Sequence, residues 1–295
     1  MGDLRNINML DADLKAAYCR VDLDVVYTQR QAERLSLHII RPVSKDENQK
    51  FPLIVFSQGS SWMKQDMGKE MTQLARFVEK GYVIALAEYR SVETAAFPAQ
   101  IIDTKTAVYF MTQEAEKYHV DVNNIILWGT SSGGHTVVMA AVTKDLQEYS
   151  AEDLARYPLN LRCVIDYYGP SDITRIVEEK DAYKYAGQPS PLSLLIGNAN
   201  LWHSPMITDK TIPMKYITAA QPTVPILIMH GTDDVMVPYR QSVELFNCLK
   251  EHGQDAELYL LRGANHGGGC FWTSEVLSIV DRFIRRHLVL DNIAE

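Results

Sequence analysis

The chain has 295 residues, of which 46% are hydrophobic and 22% are charged, and its formal net charge is −8 at pH 7. This composition is typical of globular proteins and provides enough apolar residues for one large α/β domain. The negative charge argues against nucleic acid or an anionic membrane as the main partner.

The cysteines and the N-terminal segment indicate where in the cell the protein is expected. The four cysteines are widely spaced and form no Cys-x-x-Cys pair, so neither a zinc site nor a disulfide framework is predicted. Residues 1–14 mix acidic and apolar side chains and lack the apolar core of a signal peptide. No apolar run reaches transmembrane length. We therefore expect a cytoplasmic protein with no membrane partner.

The spacing of apolar residues predicts strands that alternate with helices along most of the chain. The predicted strands cover residues 21–28, 35–41, 52–56, 82–87, 125–128, 163–168, 225–230 and 257–261. The predicted helices cover residues 68–80, 100–118, 134–143 and 271–287. Such alternation indicates a mostly parallel central sheet with flanking helices and right-handed crossovers, and the first two strands are expected to pair antiparallel.

One long segment, from Gly169 to Gln221, interrupts this alternation. It contains several prolines, a polar stretch over residues 178–190 and only short apolar patches. A loop of this length inside a compact domain is usually functional. We predict a single domain over residues 1–295 with a small helical cap inserted at about residues 170–222, above the sheet edge that carries Ser131.

Ser131 lies in the sequence Gly129-Thr130-Ser131-Ser132-Gly133, between a predicted strand and a predicted helix. Gly-x-Ser-x-Gly in this position mounts a serine on a sharp strand-to-helix turn, and the flanking glycines let strand and helix pass closely. The alternative is an ordinary turn. If the turn is a nucleophile elbow, the N–H group of Ser132 opens a helix and is available to a developing oxyanion.

A serine nucleophile needs a base and an orienting acid, which this kind of sheet supplies after later strands. Strand 225–230 runs into Asp233 and Asp234, and the His-Gly-x-x-Asp-x-x-Val-Pro spacing favours Asp234. Strand 257–261 runs into a glycine-rich loop that contains His266, the candidate base.

The other histidines have structural interpretations. His135 is expected to pack, and His230 to brace the acid loop by hydrogen bonding. No histidine pair has the spacing of metal ligands, so no metal is predicted.

The second oxyanion donor is expected from Gln58-Gly59-Ser60-Ser61-Trp62, the loop after strand 52–56. There the N–H group of Ser60 or Ser61 would join that of Ser132. The alternative is a plain connecting loop. Several aromatic residues are candidates for the border of the substrate pocket, Trp62 and Trp272 first and then Phe97, Tyr168 and Trp202, although each could equally belong to the core.

With these residues placed, the chain resembles the α/β-hydrolase superfamily. Within it, the chain resembles the acetyl-esterase and feruloyl-esterase-like (BD-FAE-like) branch, which is related to hormone-sensitive lipase. The resemblance covers roughly residues 20–288 and is carried by these motifs in their shared order: residues 58–62, Glu88-Tyr89-Arg90, residues 128–135, residues 230–238 and Asn265-His266-Gly267.

The resemblance implies an α/β-hydrolase fold and hydrolysis of carboxylic esters without a cofactor. It implies Ser131 as nucleophile, Asp234 as orienting acid and His266 as general base. One departure is that the family's usual His-Gly-Gly-Gly loop is Gln58-Gly59-Ser60-Ser61 here. We hypothesise that Ser60 or Ser61 narrows the acyl pocket or adds a hydroxyl near the oxyanion.

We therefore expect a serine esterase that acts on small acyl esters, either acetylated carbohydrates or aryl and feruloyl-type esters. Its partner would be a small-molecule or oligosaccharide ester, and a homo-oligomer is compatible with the sequence. The alternatives are a peptidase or lipid hydrolase on the same scaffold, and a non-catalytic binding protein. No peptidase propeller fits in the chain, residues 178–190 are too polar for a lipase lid, and a binding protein needs no triad.

Overall fold

The computed structural model describes residues 8–12, 18–30, 33–44, 46–152, 154, 158–178, 189–201 and 203–289. These residues form an eight-stranded sheet with the order β1-β2-β4-β3-β5-β6-β7-β8. In chain order the strands are β1 (Cys19–Arg30), β2 (Glu33–Pro42), β3 (Phe51–Ser57), β4 (Val83–Ala87), β5 (Val120–Thr130), β6 (Leu161–Tyr167), β7 (Ile226–Gly231) and β8 (Ala256–Leu261). The β1–β2 pair is antiparallel and the pairs from β4 to β8 are parallel, as predicted. The β2–β4 pair is also antiparallel, which the sequence did not predict.

Helices cover both faces of the sheet. They are α1 (Met71–Val78), α2 (Ala99–Gln113), α3 (Ala115–Tyr118), α4 (Ser132–Val142), α5 (Ile173–Glu178), α6 (Pro191–Leu195), α7 (Pro205–Thr208), α8 (Arg240–Glu251) and α9 (Ser274–His287). Side chains of β3 alternate between two cores: Leu53 and Val55 join the cluster with α2, α4 and α8, whereas Ile54 and Phe56 join the cluster with α1 and α9. Because both faces are buried, the central strands are almost continuously apolar.

Two predicted helices differ from the structure, one by an interruption and one in where it begins. The predicted helix over residues 100–118 is interrupted at Glu114; its second part ends at Tyr118, as predicted, before His119, whose φ of 58° is left-handed. The predicted helix over residues 271–287 begins at Ser274, because the Thr273 side chain caps it by accepting from the Val276 N–H group at 3.3 Å. A 3-10 turn over Gly269–Trp272 precedes that cap.

The segment between β6 and β7 contains the short helices α5, α6 and α7. Helix α6 begins at a reciprocal capping box between Ser190 and Ser193. Ile173 of α5 and Leu195 of α6 are buried in the cluster with α2 and α4, which fixes both helices against the sheet domain. Most of the polar stretch over residues 178–190, and Trp202, lie outside the described residues. The assignment of residues 170–222 as a cap remains a prediction.

Among the residues that the structure describes, no helix combines the length and the apolar character that a membrane span requires.

Candidate active site

Ser131 occupies a strained turn between β5 and α4. Its φ of 51° and ψ of −123° lie outside the regions that side chains prefer, and its N–H group donates to the Tyr167 carbonyl at 2.8 Å. A Cβ at Gly129 would come within 2.2 Å of the Gly133 carbonyl oxygen, and a Cβ at Gly133 within 1.9 Å of the Ser57 carbonyl oxygen. Only glycine fits at these two positions, so the strand and the helix can cross closely enough to expose the serine.

The three residues expected to form a triad are joined by hydrogen bonds. The Ser131 Oγ lies 2.8 Å from the His266 Nε2, and the His266 Nδ1 lies 2.6 Å from the Asp234 Oδ2. With Nδ1–H donating to the carboxylate, Nε2 is free to accept the serine proton. The structure therefore brings together three side chains from the ends of β5, β7 and β8.

Asp234 is held as a carboxylate by four donors. The N–H groups of Met236 and Val237 each donate to Oδ1 at 2.8 Å, while His230 and His266 donate to Oδ2 at 3.0 and 2.6 Å. Burial alone would raise the pKa of Asp234, but the hydrogen bonds outweigh it and hold that pKa well below its usual range. Asp234 therefore stays ionised, with its Oδ2 in contact with the His266 Nδ1.

His230 connects Asp234 to the body of the domain. It is fully buried, its Nε2 also lies 2.9 Å from the Val237 carbonyl oxygen, and its Nδ1 lies 2.6 Å from the Ser242 Oγ. The neighbouring carboxylate, Asp233, is exposed and accepts from the Thr232 hydroxyl, so it does not reach His266.

His135 lies away from this hydrogen-bonded chain. It is buried against the Trp62 ring, with 5.3 Å between the ring centroids, and its Nε2 lies 2.8 Å from the Thr211 carbonyl oxygen. Burial lowers the pKa of His135 to about 4, so the ring is neutral at pH 7 and packs as an uncharged residue.

The oxyanion candidates separate into available and engaged N–H groups. The Ser60 N–H group donates to the Ser132 Oγ at 2.9 Å, and the Ser60 hydroxyl donates to the Met63 carbonyl at 2.6 Å. The N–H groups of Ser61 and Ser132 donate to no acceptor among the described residues, and both residues line the cavity at Ser131. Of the two alternatives expected for the second donor, the Ser60 N–H group is engaged and the Ser61 N–H group is not, so Ser61 and Ser132 are the candidate pair; their oxyanion role stays a prediction.

Ser131 and His266 border two compartments. The first, of about 70 Å³, is bounded mainly by apolar side chains: Trp62, Pro170, Ile176, Pro191, Leu192 and Val237. The second, of about 260 Å³, is bounded by the loop Gly59–Ser61 and by Lys69, Glu70, Thr130 and Tyr168. We call them the apolar compartment and the polar compartment.

The polar compartment contains residues that the sequence did not single out. Glu70 is buried, and its Oε2 accepts from the Gln58 Nε2 at 2.6 Å. Gln58 stands where the resembled family has histidine, and its amide also exchanges two hydrogen bonds with the Asp66 backbone, both 2.7 Å long. The sequence shows that Gln58 replaces the family's histidine. Its spacing does not identify the partner of Gln58, which is Glu70, twelve residues later.

The aromatic candidates lie in different places. Trp62 borders the apolar compartment and Tyr168 borders the polar one. Trp272 lies outside both compartments, in the cluster with α1 and α9, where its ring stacks on Trp128 with 5.5 Å between centroids. Tyr168, which borders the polar compartment, belongs to the same cluster, and the place of Trp272 at the substrate pocket stays a prediction. Phe97 likewise packs on Tyr149 in the core.

Solved structures share this architecture. A truncated carbohydrate esterase from gut microbiota matches with a TM-score of 0.78 at 24% identity, and the match covers 94% of this chain and 98% of that one. This likeness and the strand order make the chain an α/β-hydrolase by fold.

The family follows from the sequence comparison. The BD-FAE family model matches residues 37–249, so the chain belongs to the BD-FAE family.

Two named relatives also match. A probable isoprenylcysteine alpha-carbonyl methylesterase from Oryza sativa subsp. japonica is 25% identical over 82% of this chain and 57% of the relative. The esterase LipC from Mycobacterium tuberculosis is 26% identical over 73% of this chain and 53% of the relative. The chain thus spans little more than half the length of these relatives.

Proposed function

We propose that this protein hydrolyses carboxylic esters by acyl transfer to Ser131. The observation that carries the proposal is the unbroken hydrogen-bonded chain from the Ser131 Oγ through His266 to Asp234. The relatives from rice and Mycobacterium tuberculosis are named as a methylesterase and an esterase, which supports the same reaction class.

The proposed reaction has two halves. His266 takes the Ser131 proton at Nε2 as the hydroxyl attacks the ester carbonyl, and the N–H groups of Ser61 and Ser132 hold the oxyanion. The C–O bond to the alcohol then breaks, and His266 returns the proton to the departing oxygen. Water repeats these steps on the acyl-enzyme, releasing the acid and restoring Ser131. Asp234 stabilises the imidazolium that forms in each half.

The acyl group is assigned to the apolar compartment. This compartment is small, about 70 Å³, and its walls are mainly apolar. This size supports acetyl or propionyl groups and disfavours a feruloyl group. Of the substrates expected from the sequence, acetyl esters therefore fit the site better than feruloyl-type esters.

The alcohol is assigned to the polar compartment. In the ester named for the rice relative, the alcohol is methanol and the isoprenyl chain belongs to the acyl portion, which is far larger than an apolar compartment of about 70 Å³. The substrate named for the rice relative is therefore not carried over to this chain.

The proposal is tested by the hydrolysis of 4-nitrophenyl acetate by the full chain. Ser131→Ala should lower kcat/KM by roughly three orders of magnitude or more. Ser278→Ala, a matched substitution on α9 outside the site, should leave it unchanged. Equal activity in Ser131→Ala and the parent chain would exclude Ser131 as the nucleophile.

A further inference from the structure

The polar compartment carries one positive and one negative side chain. The Lys69 Nζ lies 3.8 Å from the Glu70 Oε1, and both residues border the space next to Ser131 and His266. Because the two charges offset each other, the compartment attracts neither a cationic nor an anionic alcohol strongly. Its polar groups instead match an uncharged group that donates hydrogen bonds.

Glu70 is held in place by a hydrogen bond to its Oε2. Gln58 donates to Oε2 and is itself locked on the Asp66 backbone. A carboxylate offers about four lone-pair positions. Among the described residues, the nearest cation to Oε1 is the Lys69 ammonium at 3.8 Å, which is longer than a hydrogen bond. The Glu70 carboxylate therefore retains acceptor capacity, and Glu70 borders the compartment.

The surroundings of the Glu70 carboxylate favour a ligand that donates hydrogen bonds to it. Burial raises the pKa of the Glu70 carboxyl, and the Gln58 amide opposes that rise. Hydrogen bonds to a carboxylate are among the stronger ones, and a carboxylate largely removed from solvent, as that of Glu70 is, requires donors from its surroundings. An alcohol with hydroxyl groups would meet this requirement, and a hydrocarbon alcohol of the same size would not.

We propose that Glu70 determines specificity for the alcohol portion of the ester, by accepting hydrogen bonds from the free hydroxyls of a sugar ring or similar polyol that bears the acyl group. Gln58 positions Glu70 for this contact. The inference rests on the proposed esterase function and adds to it the group that selects the leaving alcohol.

The first test uses the unaltered chain. The substrates are methyl hexopyranosides that carry one acetyl group and otherwise free hydroxyls, compared with cyclohexyl and cyclohexylmethyl acetate, which have the same ring size without hydroxyls. We expect kcat/KM for the best acetylated sugar to exceed that for the cyclohexyl esters at least tenfold. Equal values would overturn the role of Glu70, while the absence of hydrolysis on every ester would overturn the esterase proposal instead.

The second test changes Glu70. In Glu70→Gln we expect the ratio of kcat/KM for the acetylated sugar to that for cyclohexylmethyl acetate to fall about tenfold, mainly through KM for the sugar ester. Glu79→Gln, an exposed matched change just after α1, should keep the ratio of the parent chain. If Glu70→Gln lowered both esters by the same factor, Glu70 would be a structural residue and the proposal would be wrong.

Discussion

Leu192 offers the sharpest test of how the site limits acyl length. It is buried, belongs to α6 and borders the apolar compartment. Leu192→Ala removes three carbon atoms from the wall of the apolar compartment. The compartment, now about 70 Å³, becomes larger by the space that these atoms filled. Longer acyl chains should then be accommodated.

The magnitude follows from the burial of methylene groups. Butyrate has two more methylene groups than acetate, and each contributes about 0.8 kcal/mol when buried. Complete burial of both gives about 1.6 kcal/mol, which corresponds to roughly a 15-fold rise in the butyrate-to-acetate ratio of kcat/KM. The same substitution should lower the free energy of unfolding by about 2–5 kcal/mol.

The assay compares 4-nitrophenyl acetate, propionate and butyrate at a temperature where the variant is folded. Leu195→Ala is the matched control, because Leu195 is buried on the same helix but does not border the compartment. An unchanged ratio in Leu192→Ala, or the same rise in Leu195→Ala, would refute the assignment of the acyl group to this compartment.

Three further predictions concern other parts of the site. Ser61→Gly should raise the butyrate-to-acetate ratio about fourfold, the effect of one extra buried methylene, whereas Ser60→Gly should not, since only Ser61 borders the apolar compartment; equal effects would contradict the assignment. His230→Leu removes a donor from Asp234 and raises its pKa toward the ordinary value, so the stability that the ionised carboxylate gives the fold should shrink and be lost at a higher pH on acidification; an acid-unfolding midpoint equal to that of the parent chain would argue against it. Burial raises the pKa of Asp166 from 3.8 to about 6, so its ionisation destabilises the fold as pH rises through that range, and Asp166→Asn should add up to about 3 kcal/mol to the free energy of unfolding at pH 7.5. Urea unfolding would show that gain shrinking toward pH 4, and a pH-independent difference would refute the linkage.

The fold could be predicted because the physics that selects it is local. Strands buried on both faces must be apolar throughout, and the run Ile125 to Trp128 shows this directly. The strand-to-helix turn at Ser131 could also be predicted, because contacts within the turn and with the adjacent strand require glycine at positions 129 and 133.

Other features depend on contacts between distant segments. The Ser60 N–H group is engaged by the Ser132 hydroxyl, 72 residues away, and no pattern around Ser60 indicates that contact. The side of the sheet on which Trp272 packs depends on how the 3-10 turn before α9 is oriented. The pairing of Gln58 with Glu70 depends on the path of the loop between them.

Ser131 is proposed to be the activated nucleophile of this site. Diethyl 4-nitrophenyl phosphate transfers its phosphoryl group to an activated serine and releases 4-nitrophenolate, so mass spectrometry of the digested protein locates the modified residue. We expect one diethylphosphoryl group per chain, on the peptide that contains Ser131, gained in step with the loss of esterase activity and absent in Ser131→Ala. Complete loss of activity with Ser131 unmodified and the phosphoryl group on another residue would contradict it.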